Sequence, residues 1–382
     1  MDIKKSIRLY DYTIVFLVGA SFSGKTSFAE KYFHEYEIVH NGKPDFTKTL
    51  QILDGNYLEA DSRKELLRQA KNHNYLRTAI VFKTEVEELM KRNDGSLSQG
   101  FLEMQVRSVN NIQKHLEQEG FDEIYVITED DNVAVERVKG NWDKRDLSGP
   151  FNIIGDVHGC YDALAKLVRK LGYKTDEEGR YYHSDKRTII FTGDVVDRGD
   201  KSVETLKLIM KLVEDGVALM VRGNHDERLL RYLKGGDVEA VHGLETTSRE
   251  MAEQDEAFIQ AVIDFMDRLP YYLWLDKGSL VVVHAGIKRE FLGKDTRNIR
   301  EYCLYGCGRQ EYDKPGFPAI EEWAGDYKDD MVVVFGHIPG INVYKIHNVY
   351  GVDTACVFGY YLSALRYPEM TVEQVRNRNK NK

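Results

Sequence analysis

The sequence predicts two α/β domains in tandem: a parallel-sheet domain over residues 1–148 and a layered α/β sandwich over residues 149–382. Three observations carry this expectation. The first part alternates short apolar, β-rich runs with segments of helical spacing. The second part holds five short apolar runs, each ending in or followed by glycine and polar residues. Between them lies "GNWDKRDLSGP", a polar stretch with two glycines and a proline, which places a boundary near Gly149. At 382 residues the chain is also longer than one ordinary core organises.

In the first domain "TIVFLVG", "TAIVF" and "EIYVIT" read as strands. "KTSFAEKYFHEY" has helical spacing, and "GFLEMQVRSVNNIQKHLEQEG" is a long amphipathic helix stopped by Gly120. In the second domain the strands are "FNIIGD", "TIIFTGD", "ALMVRGNH", "LVVVHAG" and "MVVVFGH", with helices such as "CYDALAKLVRKLG" and "SVETLKLIMKLVEDG" between them. The closing "VEQVRNRNKNK" is basic and reads as a frayed tail.

Composition narrows the class. Apolar residues make up 42% and charged residues 30%, as in a globular chain. No stretch approaches ~20 uninterrupted apolar residues, so no membrane span is expected. The apolar run near the N-terminus leads straight into a phosphate-binding pattern and reads as a buried strand, not a signal peptide. Net charge is −9, and neither half is a polycation, which argues against tight duplex binding driven by bulk charge. Cys160, Cys303, Cys307 and Cys356 are too few for a disulfide framework. They read as reduced thiols of a cytoplasmic protein.

The first chemistry is "GASFSGKT", Gly19 to Thr26, which fits G-x-x-x-x-G-K-[ST] between a strand and a helix. Gly19, Ser23 and Gly24 shape a loop whose N–H groups face phosphate, and the helix N-terminus adds positive potential. Lys25 reaches the terminal phosphates of ATP and Thr26 holds Mg²⁺. Phosphate transfer to an alcohol also needs a base and cations. Asp45 and Asp54 are the candidate acids; Arg77, Arg92 and Arg107 are the candidate cations.

The second chemistry comes from the strand ends of the C-terminal domain. They deliver Asp156 and His158, Asp194, Asn224 and His225, His284, and His337. In open α/β sheets such ends converge on one crevice. A mixed oxygen and nitrogen set without thiolate suits Mn²⁺, Fe, Ni²⁺ or Zn²⁺. Asp156 and His158 fit one metal, Asn224, His284 and His337 a second, with Asp194 bridging them. Two such ions activate water and clamp a phosphate. His225 points elsewhere and protonates the leaving oxygen. Arg198 forks onto phosphate oxygens, with Arg222 a weaker candidate.

GDVHG, GDVVDRG, GNHD, HAG and GH, in this order, resemble the calcineurin-like binuclear metallophosphoesterases over Phe151 to Glu369. The phosphate loop, "DKRDLSGPFNIIGDVHGCYDAL", "CLYG" and "VDTACVFGYYLSALRYPE" together resemble bacterial polynucleotide kinase-phosphatase, an RNA end-healing enzyme. That resemblance implies a P-loop kinase-like parallel-sheet domain followed by a calcineurin-like metallophosphoesterase sandwich. It implies a phosphatase for 2′,3′-cyclic and 2′- or 3′-phosphate RNA ends using Mn²⁺ or Ni²⁺. It also implies a kinase for 5′-OH ends using ATP and Mg²⁺. The metal ligands, His225 and Arg198 keep their roles, and Asp353 matches an acidic residue of the phosphatase site.

Two departures stand out. "EIVHNGKPDFTKTLQIL" lacks the Asp-x-x-Arg segment that supplies the kinase base, which leaves Asp45 as a substitute and kinase activity open. The ligase domain of many relatives is missing, so sealing would need an RNA ligase partner. Dinucleoside tetraphosphatases and protein phosphatases share the metal motifs and form the alternative, with the first domain then a nucleotide-binding regulator.

Overall fold

The computed structural model describes residues 5–306, 320 and 323–378. The chain divides into two compact units, Met1–Gly140 with Gly293–Asn298, and Asn141–Leu292 with Ile299–Lys382.

The first unit opens with β1 (Lys5–Leu9), β2 (Thr13–Gly19) and α1 (Lys25–Tyr32). It continues through β3 (Ile38–His40), β4 (Leu50–Asp54), α2 (Ala60–Asn72) and β5 (Leu76–Lys83). The last elements are α3 (Val86–Arg92), α4 (Gln99–Glu119), β6 (Glu123–Thr128) and β7 (Val133–Arg137). Five strands form one parallel sheet in the order β3-β4-β2-β5-β6, and β1 pairs with β7 beside it. Every residue of β2 is buried, as a central strand covered on both faces requires. Its side chains alternate between two cores: Ile14, Phe16 and Val18 pack with Leu67, Val109 and Leu116, whereas Val15 and Leu17 pack with Phe28 and Ala29. The long helix is as expected: Ser98 caps it through Phe101 N–H at 3.3 Å, and Gly120 ends it in the left-handed conformation.

Arg63 fastens the segment after Asp54. Fully buried, it donates to Tyr57 O at 2.6 Å and Leu58 O at 2.8 Å, and to both Glu119 oxygens at 2.8 and 2.5 Å.

The second unit begins with β8 (Asp143–Lys144) and β9 (Phe151–Ile154), then α5 (Tyr161–Lys170). A small hairpin, β10 (Lys174–Thr175) and β11 (Tyr181–Tyr182), precedes β12 (Thr188–Phe191). Then come α6 (Ser202–Glu214), β13 (Ala218–Met220), α7 (Asn224–Leu233), α8 (Leu244–Ala252) and α9 (Glu256–Asp267). They are followed by β14 (Tyr272–Leu275), β15 (Leu280–Val283), α10 (Arg297–Tyr305) and β16 (Val332–Phe335). The chain closes with β17 (Tyr344–Ile346), β18 (Val349–Gly351), β19 (Tyr361–Tyr367) and β20 (Thr371–Arg376).

Two sheets result, β13-β12-β9-β19-β20 and β17-β18-β16-β15-β14-β8. Phe151, Ile153 and Ile190 of the first meet Leu273, Val282 and Val334 of the second in a shared inner core. Leu164, Leu206, Leu229 and Phe265 from α5, α6, α7 and α9 cover the outer face of the first sheet. The result is the expected sandwich with helices outside.

Two local expectations change. Residues 141–148 belong with the second unit, because β8 pairs with β14 and Trp142 stacks on Tyr272 at 5.4 Å. The stretch from Val372 to Arg376 is not a frayed tail. It pairs antiparallel with β19 across Leu362 and Ala364, while residues 379–382 lie outside the described residues. Cys160, Cys303 and Cys356 are buried, and Cys307 lies outside the described residues. Among the described residues no helix is long and apolar enough to cross a membrane.

Removing Arg63 strands a carboxylate and two carbonyls, so Arg63→Ala should lower stability by about 3 kcal/mol in urea unfolding. A loss below about 1 kcal/mol would mean that this network does not hold the segment.

Candidate metal centre and phosphate loop

Strand ends of the second unit bring Asp194 close to His158, His225, His284 and His337. Asp194, immediately after Gly193, ties both neighbouring loops together through its own N–H and C=O groups. Its carbonyl accepts from Val157 N–H at 3.1 Å and His158 N–H at 2.9 Å. Its carboxylate accepts from His225 N–H at 2.9 Å. His158, Asp194 and His225 form one group whose ligand atoms lie within 4.8 Å of one another, and Asp194, His284 and His337 form a second. Asp194 is common to both.

Tautomers follow from the outer partners. His158 Nδ1 donates to Val196 O at 2.9 Å, and His284 Nδ1 donates to Thr192 O at 2.9 Å. Each ring therefore turns a bare Nε2 inward. His158 Nε2 faces Asp194 Oδ2 at 3.7 Å. His284 Nε2 faces Asp194 Oδ1 at 3.4 Å, Asn224 Oδ1 at 2.9 Å and His337 Nδ1 at 3.1 Å. Asp156 accepts from His337 N–H at 3.0 Å. Buried acceptor groups that converge in this way call for a cation. The donors, carboxylate, carbonyl and imidazole, fit a divalent transition metal.

The electrostatics agree. Burial alone would raise the Asp194 carboxyl, but the imidazoles of His284 and His225 hold it well below the usual range. Burial would lower His284, yet Asp194 raises it to about 9. His158 is lowered to about 4 by burial, and His337 to about 3 by burial and His284. Burial and Asp353 push Asp156 well above the carboxylate range, and burial pushes Asp353 up to about 6. Asp353 accepts from Ala355 N–H at 2.9 Å.

The backbone is strained where these side chains emerge. His158 (φ 46°), Asp194 (50°), Asp197 (71°), Arg198 (66°) and His337 (63°) are all left-handed without being glycine. Each such residue costs on the order of 1–3 kcal/mol, which the surrounding hydrogen bonds must offset. The spare room is minimal. A Cβ at Gly336 would lie 2.1 Å from Asp156 Oδ1, and one at Gly223 would lie 2.3 Å from Asp194 Oδ1.

Two residues were not legible as site residues. Asp197 holds His225 Nδ1 at 2.7 Å and accepts from Arg228 Nη2 at 2.9 Å. Asp226, fully buried, accepts from the N–H groups of Asp194, Val195 and Gly223 at 2.9–3.1 Å. Both acids stand inside the recognised stretches "GDVVDRG" and "GNHDE", which is the signal that marks them. Arg198 is exposed, with Nη1 3.4 Å from His158 Nε2 and its guanidinium 5.8 Å from the Phe358 ring. Arg222 is not a phosphate clamp. Buried, it donates to Glu227 at 2.7 Å, Tyr271 Oη at 3.0 Å and Met266 O.

The first unit brings Gly19, Ser23, Gly24, Lys25 and Thr26 into one loop between β2 and α1, with Gly24 left-handed at φ 86° as the cap of α1. Lys25 Nζ folds onto Gly19 O at 2.9 Å and Ala20 O at 2.7 Å. Burial lowers it to about 8 against the pull of Asp54. Thr26 donates to Asp54 Oδ2 at 2.9 Å. Phe22 to Ser27 and Arg92 line a cavity of 510 Å³. Arg77 instead grips Asp122 in a two-pronged pair, and Asp45 closes an exposed turn by accepting from Thr47 N–H at 3.1 Å and Oγ1 at 2.7 Å.

Residues 149–363 match the family model of the calcineurin-like phosphoesterases, and the chain belongs to that family. Members use a binuclear divalent metal centre, so this is a metal-dependent phosphoesterase. The chain is similar to the asymmetrical bis(5′-nucleosyl)-tetraphosphatase PrpE of Bacillus velezensis, 41% identical over 57% of this chain and 89% of that protein. The PrpE of Bacillus subtilis is 38% identical over 59% and 93%. That of Halalkalibacterium halodurans is 39% identical over 60% and 94%. These names correspond to the tetraphosphatase alternative and not to RNA end-healing.

Gly336→Ala must displace Asp156. Mn²⁺ bound per chain in equilibrium dialysis should fall, and the metal-free chain should lose about 1–3 kcal/mol. An unchanged Mn²⁺ stoichiometry would remove Asp156 from the ligand set.

Proposed function

We propose that the second unit hydrolyses the polyphosphate bridge of a dinucleoside tetraphosphate asymmetrically, and that the 19–26 loop of the first unit binds the phosphates of ATP with Mg²⁺. The observation that carries the first part is the pair of side-chain groups sharing Asp194, with His225 held beside them by Asp197. The name of the relatives supports the choice of substrate.

In this reading Asp156, His158 and Asp194 hold one ion, and Asp194, Asn224, His284 and His337 hold the other. Such a pair, when bound, supplies Lewis acidity toward a phosphate and a water. Arg198 offers its exposed guanidinium to the phosphate chain. Asp197 fixes the His225 ring through Nδ1, which leaves Nε2 to act on substrate. Water adds to phosphorus, the bridging P–O bond breaks, and the departing oxygen takes its proton from His225 Nε2. One nucleoside monophosphate and one nucleoside triphosphate leave.

RNA end-healing remains the second reading. What favours it is the phosphate-loop pattern in the same chain as the phosphoesterase.

Diadenosine tetraphosphate, an RNA ending in 2′,3′-cyclic phosphate, and a phosphopeptide should be assayed together with Mn²⁺. The tetraphosphate should give ATP and AMP with the largest kcat/KM. Faster opening of the cyclic phosphate would restore the RNA-end reading. Asp194→Ala and His337→Ala should abolish hydrolysis, Lys25→Ala should leave it intact, and His225→Asn should lower kcat about 10²–10⁴-fold.

A further inference from the structure

The first unit lacks the Asp-x-x-Arg base segment, but a histidine and an aspartate meet at the ends of two of its strands. Strands β3, β4 and β2 lie side by side in parallel, so their C-terminal ends share one edge of the sheet. β2 ends at Gly19 and feeds the phosphate loop; β4 ends at Asp54; β3 ends at His40, directly opposite Asp54 in the register. One oxygen, Asp54 Oδ2, touches both Thr26 Oγ1 at 2.9 Å and His40 Nδ1 at 3.0 Å. His40 is thus one carboxylate oxygen away from the first turn of α1.

A carboxylate accepts hydrogen bonds, so the nitrogen facing Asp54 carries the proton and Nε2 of the neutral ring is an acceptor. The Asp54 side chain is only 7% exposed, whereas that of His40 is 55% exposed. The carboxylate is fixed and the imidazole reaches solvent, where a second substrate arrives. Asp45 is unsuited to this task. Its Oδ1 is engaged by Thr47, which lowers its basicity.

We infer that His40, oriented by Asp54, is the general base of a phosphoryl-transfer site in the first unit, acting on an O–H acceptor. The inference rests on the reading that the 19–26 loop binds ATP. The acceptor oxygen bonds to the γ-phosphorus and its proton passes to His40 Nε2. The bond from that phosphorus to the β,γ-bridging oxygen breaks, and ADP departs with the electron pair. The acceptor is either water or the hydroxyl of an alcohol.

The test uses the full chain with Mg²⁺ and γ-labelled ATP. Label transfer to a 5′-OH oligonucleotide reports the alcohol, and inorganic phosphate release that disappears in Lys25→Ala reports water. Binding of a fluorescent ATP analogue is measured in parallel. His40→Ala and His40→Gln should bind the analogue within about twofold of the unaltered chain and lose about 10²–10³-fold in the Lys25-dependent rate. Added imidazole should restore part of the rate to His40→Ala, and Asp45→Ala should transfer normally. Unaltered rates in both His40 variants would overturn the inference. So would a chain that binds the analogue yet shows no Lys25-dependent transfer to either acceptor. A chain that does not bind the analogue would instead overturn the reading beneath it.

Discussion

The second unit is organised around one carboxylate. Asp194 serves both groups of candidate ligands, and its backbone carbonyl fixes the loop that carries His158. It can do so only in a left-handed conformation, with φ at 50°. Asp226 offsets that strain by collecting the N–H groups of Asp194, Val195 and Gly223 on one buried carboxylate. The loop after β12 and the start of α7 are thereby locked to each other. These contacts hold the ligand atoms together, and an ion bound among them would remove the repulsion among their lone pairs.

Most of this was legible in the sequence, and the reason is geometric. A short apolar run must be a buried strand, and the glycine and polar residues after it must emerge at its end. Five such runs identify one cluster of strand ends, although β9, β12 and β13 belong to one sheet and β15 and β16 to the other. Asp197 and Asp226 were harder to read because their roles depend on partners about thirty residues away, His225 for one and Asp194 for the other. No spacing rule distinguishes them from acids on a solvated turn. Arg222 misled in the opposite sense. It stands between a strand and a candidate ligand, yet its guanidinium turns away to Glu227 and Tyr271. The final strand was hidden by composition, since Glu373 and Arg376 suit an exposed edge as well as a tail.

The two units use opposite electrostatics at the same kind of place. Both sites sit where strands end. In the second unit the strand ends deliver acceptors, and the fit is to cations. In the first unit they deliver Lys25 and the N–H groups at the start of α1, and the function proposed for that loop is to meet anions. Lys25 donates to two carbonyls and feels the charge of Asp54, a partnership that a phosphate oxygen in the proposed site would have to outcompete.

Each site also contains an imidazole steadied by an aspartate, and the difference between the two pairs is instructive. His225 and Asp197 are both buried, and Arg228 leans on the same carboxylate oxygen. A ring so enclosed has one orientation and one usable nitrogen, which suits a group that must meet a leaving oxygen at a fixed point. His40 is anchored by an acid only 7% exposed but itself stands in solvent. Its anchor fixes one nitrogen while the other stays open to acceptors of different sizes. A histidine–aspartate pair with one member in solvent contributes little to stability by itself. Asp54, already satisfied by Thr26, gains little from a second partner. The placement of His40 is therefore better explained by what its outer nitrogen meets than by what its inner nitrogen holds.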